Sequence, residues 1–200
     1  MSAYPVPFIA DYAARKGLKY QPDADERWMR VWEPYTTLKI PFRYEHVLES
    51  TGEGGSLTVA RFVVQLPSRG QPPIAAEASA WIAIVQDPRI DVCAAATSDV
   101  GSVFGESLDL VTMPRRATGD AAFDHVFASF APTDHQLARG ITPSVRKLVA
   151  SWLIPVHVEL RPGGFILAPV ALRADADSLA WFVRVIPLFG EKAAKAADPR

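Results

Sequence analysis

The residues best equipped for chemistry are two Asp-His pairs, Asp124-His125 and Asp134-His135. Two imidazoles and two carboxylates form a ligand set for a zinc- or iron-class ion, provided the turn between Phe127 and Asp134 folds the pairs together. Their spacing matches no compact metal motif such as HExxH. If Phe123 to Phe127 is extended, Asp124 and His125 point to opposite faces and need a bulge to reach one ion. The favoured reading is that Asp124 and Asp134 make turn and cap hydrogen bonds while the histidines are solvated. A metal-dependent hydrolase built on these four residues is the weaker alternative.

The remaining chemistry-bearing groups point away from catalysis. His46 falls on the apolar face of one expected strand and His157 on the polar face of another. The serine of Gly101-Ser102-Val103-Phe104-Gly105 stands one place too early for a nucleophile elbow. Thr51-Gly52-Glu53-Gly54-Gly55 is followed by a strand pattern, not by the helix N-terminus that phosphate binding requires. The lone Cys93 lies in the apolar run Ile90 to Ala96 and is expected to be a small core residue. No catalytic residue is assigned, no cofactor is expected, and the balance falls against an enzyme. Of the five tryptophans, four lie on expected helices where apolar spacing accounts for most of their burial. The excess on those helices suggests an aromatic-lined cleft between a sheet and the C-terminal helix, with Trp152, Trp181 and Phe182 as candidate ligand-binding residues.

These groups must be positioned by elements that the pattern predicts. Pro5 and Pro7 open a helix carrying Phe8, Ile9, Tyr12 and Ala13, which Gly17 stops. Leu18 to Tyr20 is an extended link, and Asp23 caps a second helix reaching Tyr35. From Leu38 the period becomes two, with Ile40, Phe42, Tyr44, His46 and Leu48 on one face. The glycine-rich turn makes this strand one arm of a hairpin with Leu57 to Leu66. Further strands are expected at Ala76 to Val85, Ile90 to Ala94 and about Leu108 to Met113. Phe123 to Phe127 reads as another strand. Thr142 and Pro143 cap and open a helix ending at Trp152. Val156 to Leu160 and Phe165 to Leu172 then form a hairpin about Pro162-Gly163. Asp175 or Asp177 caps a last helix that Pro187 ends, and the tail 191–200 is expected to fray.

The run Phe123-Asp124-x-x-Phe127, then Asp134, Ile141-Thr142-Pro143, Val145 and Leu148, resembles a loose group of uncharacterised bacterial proteins. Their shared phrase is an FD-x-x-F strand, an acidic turn and an LTP-type helix start before a short hairpin. Ala14-x-x-Gly17-x-x-Tyr20 is similar to their N-terminal phrase. The resemblance implies a bacterial protein and no catalytic residue, because the group has no established activity. Its members often carry membrane segments, and this sequence offers no apolar run of that length.

A net charge of −1, with scattered Lys and Arg, argues against nucleic-acid binding. A hydrophobic fraction of 49% over 200 residues suffices for a sizeable core. The N-terminus lacks a basic segment followed by an apolar core, so the cytoplasm is the expected compartment. The fold expected is one α+β domain over 1–190, a mainly antiparallel sheet of about six to eight strands with N- and C-terminal helices packed on it. The leading functional expectation is a non-enzymatic protein-interaction module, with another protein or a second copy as partner. A small-molecule or lipid binder with an aromatic-lined cleft is the alternative.

Overall fold

A computed structural model describes residues 6–32, 41–52, 55–66, 76–98, 113–169 and 173–197. The chain begins with α1 (Pro7–Lys16), β1 (Lys19–Asp23) and α2 (Glu26–Val31), followed by β2 (Arg43–Gly52), β3 (Gly55–Leu66) and β4 (Ala76–Gln86). Next come β5 (Ala94–Ser98), β6 (Arg115–Arg116), α3 (Ala121–Val126), β7 (Phe127–Phe130) and α4 (Asp134–Gly140). The last elements are α5 (Pro143–Ser151), β8 (Val156–Arg161), β9 (Gly164–Pro169) and α6 (Ala176–Ala197). The described strands form one nine-stranded sheet in the order β1-β2-β3-β4-β9-β8-β5-β7-β6, antiparallel at every pairing. This is the expected α+β architecture, with the strand count raised by short pairings at the two edges.

Both faces of the sheet are buried. On one, Val59, Trp81, Leu167, Val158 and Ala96 pack beneath α1, α4, α5 and α6, whose Ile9, Leu137, Val149 and Phe182 enter the same cluster. On the other, Phe62, Ile82 and Ile166 pack with Met29 of α2. Trp81 ties α6 to the sheet, its Nε1 donating to Ser178 Oγ at 3.0 Å.

Local signals account for most boundaries. Gly17 takes a left-handed φ of 65° after α1. Gly163 does so at 94° in the β8–β9 turn, where the Pro-Gly pair predicts it. Gly164 is needed because a Cβ there would lie 2.0 Å from the Val85 carbonyl oxygen. Asp175 caps α6 by accepting from the Ser178 amide at 2.9 Å.

Several expectations are corrected. Asp25, not Asp23, caps α2, accepting from the Trp28 amide, while Asp23 ends β1. The face shared by Tyr44, His46 and Leu48 is broken by a bulge between Glu45 and Leu48, where His46 adopts φ 54°. Tyr44 consequently enters one core cluster and Leu48 the other. The strand expected at Ile90 to Ala94 lies at Ala94–Ser98, with Ile90 and Val92 buried ahead of it. Phe123 to Val126 is helical, because Asp120 caps α3 by accepting from the Phe123 amide. Pro187 does not end α6, which carries it internally and continues to Ala197 with Ala193 buried. Tyr35, Leu38, Ile40 and most of the strand expected at 108–113 lie outside the described residues.

Candidate functional site

The clearest concavity among the described residues is a groove of about 570 Å³ between α3 and α5, at the end of β5 and β8. Its near wall is set by two aspartates. Asp124 accepts from the Thr118 amide and hydroxyl and from the Gly119 amide, at 2.8 to 3.2 Å, and so pins the loop leading into α3. Asp120 then starts the helix. Because α3 runs straight into β7, Phe123 and Phe127 stand one turn apart and stack at 4.4 Å between ring centroids. Both line the groove, with Val126 beside them.

The far wall is α5. Thr142 caps it by accepting from the Val145 amide, and Pro143 takes a first-turn position where its missing N–H leaves nothing unsatisfied. One stripe of the helix, Val145 and Val149, is buried in the core, and the flank carrying Arg146, Lys147 and Ala150 borders the groove. Past the helix end, Leu153 adopts φ 55° and is 90% exposed at the groove mouth. Ile154 and Pro155 complete that end. Ser98 lines it too, but its hydroxyl is already bonded to the Val156 amide and carbonyl. The lining is apolar apart from Ser98 and a polar end formed by Asp120, Arg146 and Lys147. There the Arg146 Nε donates to Asp120 Oδ2 at 3.3 Å and its Nη1 to the Ile141 carbonyl at 2.8 Å.

The sequence-based candidates lie elsewhere. Asp124 serves the α3 loop and Asp134 pairs with Arg116 at 2.7 Å, while His125 and His135 are exposed on α3 and α4. Among the described residues, no group of three or more His, Cys, Asp or Glu side chains is placed to hold a metal ion. Trp152 and Trp181 do meet, edge to face at 5.8 Å, with Phe189 beside Trp152 and Phe182 fully buried. They are packed between α5 and α6. The sheet–α6 interface expected to open into a cleft is filled by Leu179, Phe182, Ile186 and Phe189, and the groove lies on the α3 side of α5 instead.

Two further features stand out on the sheet. His157 and Glu159 of β8, expected on a polar face, are both fully buried, with Nε2 and Oε2 3.4 Å apart. Arg161 donates to the other Glu159 oxygen at 2.7 Å. Among the described residues, neither His157 ring nitrogen nor Glu159 Oε2 has a hydrogen-bond partner. In the β2 bulge, buried His46 Nδ1 lies 2.9 Å from the Tyr20 hydroxyl, which also accepts from the Val6 amide. Burial, followed by the Arg61 charge, holds the His46 ring below its ordinary pKa, so the neutral form is favoured. Cys93 is half-buried just before β5, and burial pushes its thiol pKa up, which suits an unreactive packing residue.

No family model matches the chain, and no curated protein is recognisably similar to it in sequence. Among solved structures, the chain is similar to the crystal structure of the mycobacterial trehalose monomycolate transport factor A, TtfA. The likeness covers 97% of this chain and 96% of that one, with a TM-score of 0.62 and 10% identity. At that identity the likeness is one of fold.

Proposed function

We propose that this chain is a binding protein for amphiphiles and that the α3–α5 groove receives the ligand's hydrocarbon chain. The observation that carries the reading is the groove itself. It has the volume of a small-molecule site and an almost wholly apolar lining, including the stacked pair Phe123 and Phe127. The naming of the similarly folded protein as a transport factor for a mycolate ester supports the same ligand class. On this reading the binding groove is distinct from the Trp152–Trp181 contact.

Binding of n-alkyl ligands to the purified chain tests it, followed by displacement of a fluorescent fatty-acid probe. Affinity should rise about fourfold for each methylene buried, until the groove is filled. Ala150, exposed on the groove wall, offers a blocking position. Ala150→Trp should abolish probe binding while leaving the urea midpoint unchanged. Chain-length-independent affinity, or full binding by the variant, would remove the groove from consideration.

A second reading has its own observation. Leu153 at 90% exposure and Val126 at 49% present apolar surface at the groove mouth, which suits the apolar side chains of a protein partner. A partner that binds equally well to the Ala150→Trp and parent chains would not be using this groove.

A further inference from the structure

From the charge at one end of the groove we infer that its ligand is a single-chain amphiphile with an anionic head, a carboxylate or phosphate monoester, lying along α5 with that head at Arg146 and Lys147. This rests on the groove reading and adds the head-group chemistry and the orientation. Asp120, Arg146 and Lys147 together carry a net charge of about +1 at neutral pH. The one acid among them is already committed, since its two oxygens accept from the Phe123 amide and from Arg146 Nε. That bond and the one to the Ile141 carbonyl fix the Arg146 guanidinium, with Nη2 left over among the described residues. A planar donor held in place in this way loses little freedom on meeting an anion. Lys147 follows it in sequence, is exposed, and has no ion-pair partner among the described residues. The first turn of α5 contains no acidic residue, so its positive end, at Pro143 on the same rim, adds to the field.

Among the described residues, the opposite end has no unsatisfied polar side chain to receive a head group. Leu153, Ile154 and Pro155 are apolar, and both partners of Ser98 Oγ lie within Val156. The two ends lie about two turns of helix apart along α5. An amphiphile therefore has one favourable direction, with the anion by Arg146 and Lys147 and the chain passing Phe123, Phe127 and Val149 towards Leu153.

The test compares dodecanoate, dodecyl phosphate, dodecan-1-ol and inorganic phosphate on the full chain, below micellar concentrations, by displacement of an uncharged fluorescent alkyl probe. Both anions should bind about tenfold tighter than the alcohol. Lys147→Glu should lower the anion affinities about tenfold, several times more than it lowers that of the alcohol, and inorganic phosphate should not compete. Equal affinities for alcohol and anions, or no effect of Lys147→Glu, would overturn the head-group inference while leaving the groove reading intact. Inorganic phosphate binding that depends on Lys147 would make the rim a free-anion site and overturn it equally. If no dodecyl compound binds, the groove reading itself fails.

Discussion

Leu153 combines two costs that a purely structural role does not explain. A leucine in the left-handed region is disfavoured by about 1–2 kcal/mol relative to right-handed backbone, and at 90% exposure its side chain recovers almost none of that by burial. Such outliers persist where a conformation is over-determined or used. Leu153→Gly should therefore raise stability by about 0.5–1 kcal/mol, the relief of strain exceeding the entropy a glycine adds to the unfolded chain. The same change removes apolar surface from the groove mouth and should weaken alkyl-ligand binding several-fold. A urea midpoint moving up while affinity moves down would mark Leu153 as a binding residue. A rise in both would mean that its exposure serves something other than this groove. Thr142, Pro143 and Gly163 were legible as single residues because each acts through its own backbone preference. Leu153 was not, since its strain comes from the path between α5 and β8 and leaves no mark on residue type.

Elements were harder to read where two periodicities agree. Phe123 and Phe127 share a face whether four residues apart on a helix or in even register on a strand, so their spacing alone cannot separate α3 from a strand. The cap decides it, and Asp120 three residues before Phe123 was the available signal. In β8 the alternation of Val156, Val158 and Leu160 with His157 and Glu159 is real, but the second face of this strand is buried as well. Alternation reports which residues share a face and is silent about whether that face meets water. The bulge in β2 is likewise invisible in the period it interrupts, and it yields a pH prediction. The folded chain holds His46 below the ordinary histidine value of about 6.5, mainly through burial, so as pH falls the unfolded state takes up this proton first. Stability is then fully present above about pH 6.5 and is lost as pH drops through the folded-state value. His46→Asn, which tolerates left-handed backbone, should flatten the dependence of the urea midpoint between about pH 7.5 and 5, ahead of carboxylate titration. An unchanged slope in that variant would assign the acid sensitivity to other groups.

At the scale of the molecule, the sheet has two distinct halves. The β2–β3–β4 side pairs over long registers and carries apolar clusters on both faces. The β5–β7–β8 side is built from short strands and bears the groove, one wall of which is the six-residue helix α3. Short helices have little stability of their own and depend on packing. For α3 that packing comes chiefly from Phe123, Phe127 and the Asp120 and Asp124 caps, and opening of this corner should therefore require less free energy than global unfolding. A ligand bridging α3 and α5 has contacts to lose in such openings. At a hundredfold excess over its Kd it should stabilise the whole chain by about 2.7 kcal/mol. In hydrogen exchange, amides of Phe123 to Val126 and of Val149 to Leu153 should slow by up to about a hundredfold, those opening only globally being bounded by the same linkage. Amides of β3 and β4 that exchange through purely local fluctuations should not change. Ala150→Trp should remove both effects together. Protection confined to β3 and β4 would instead place the ligand on the other half of the sheet.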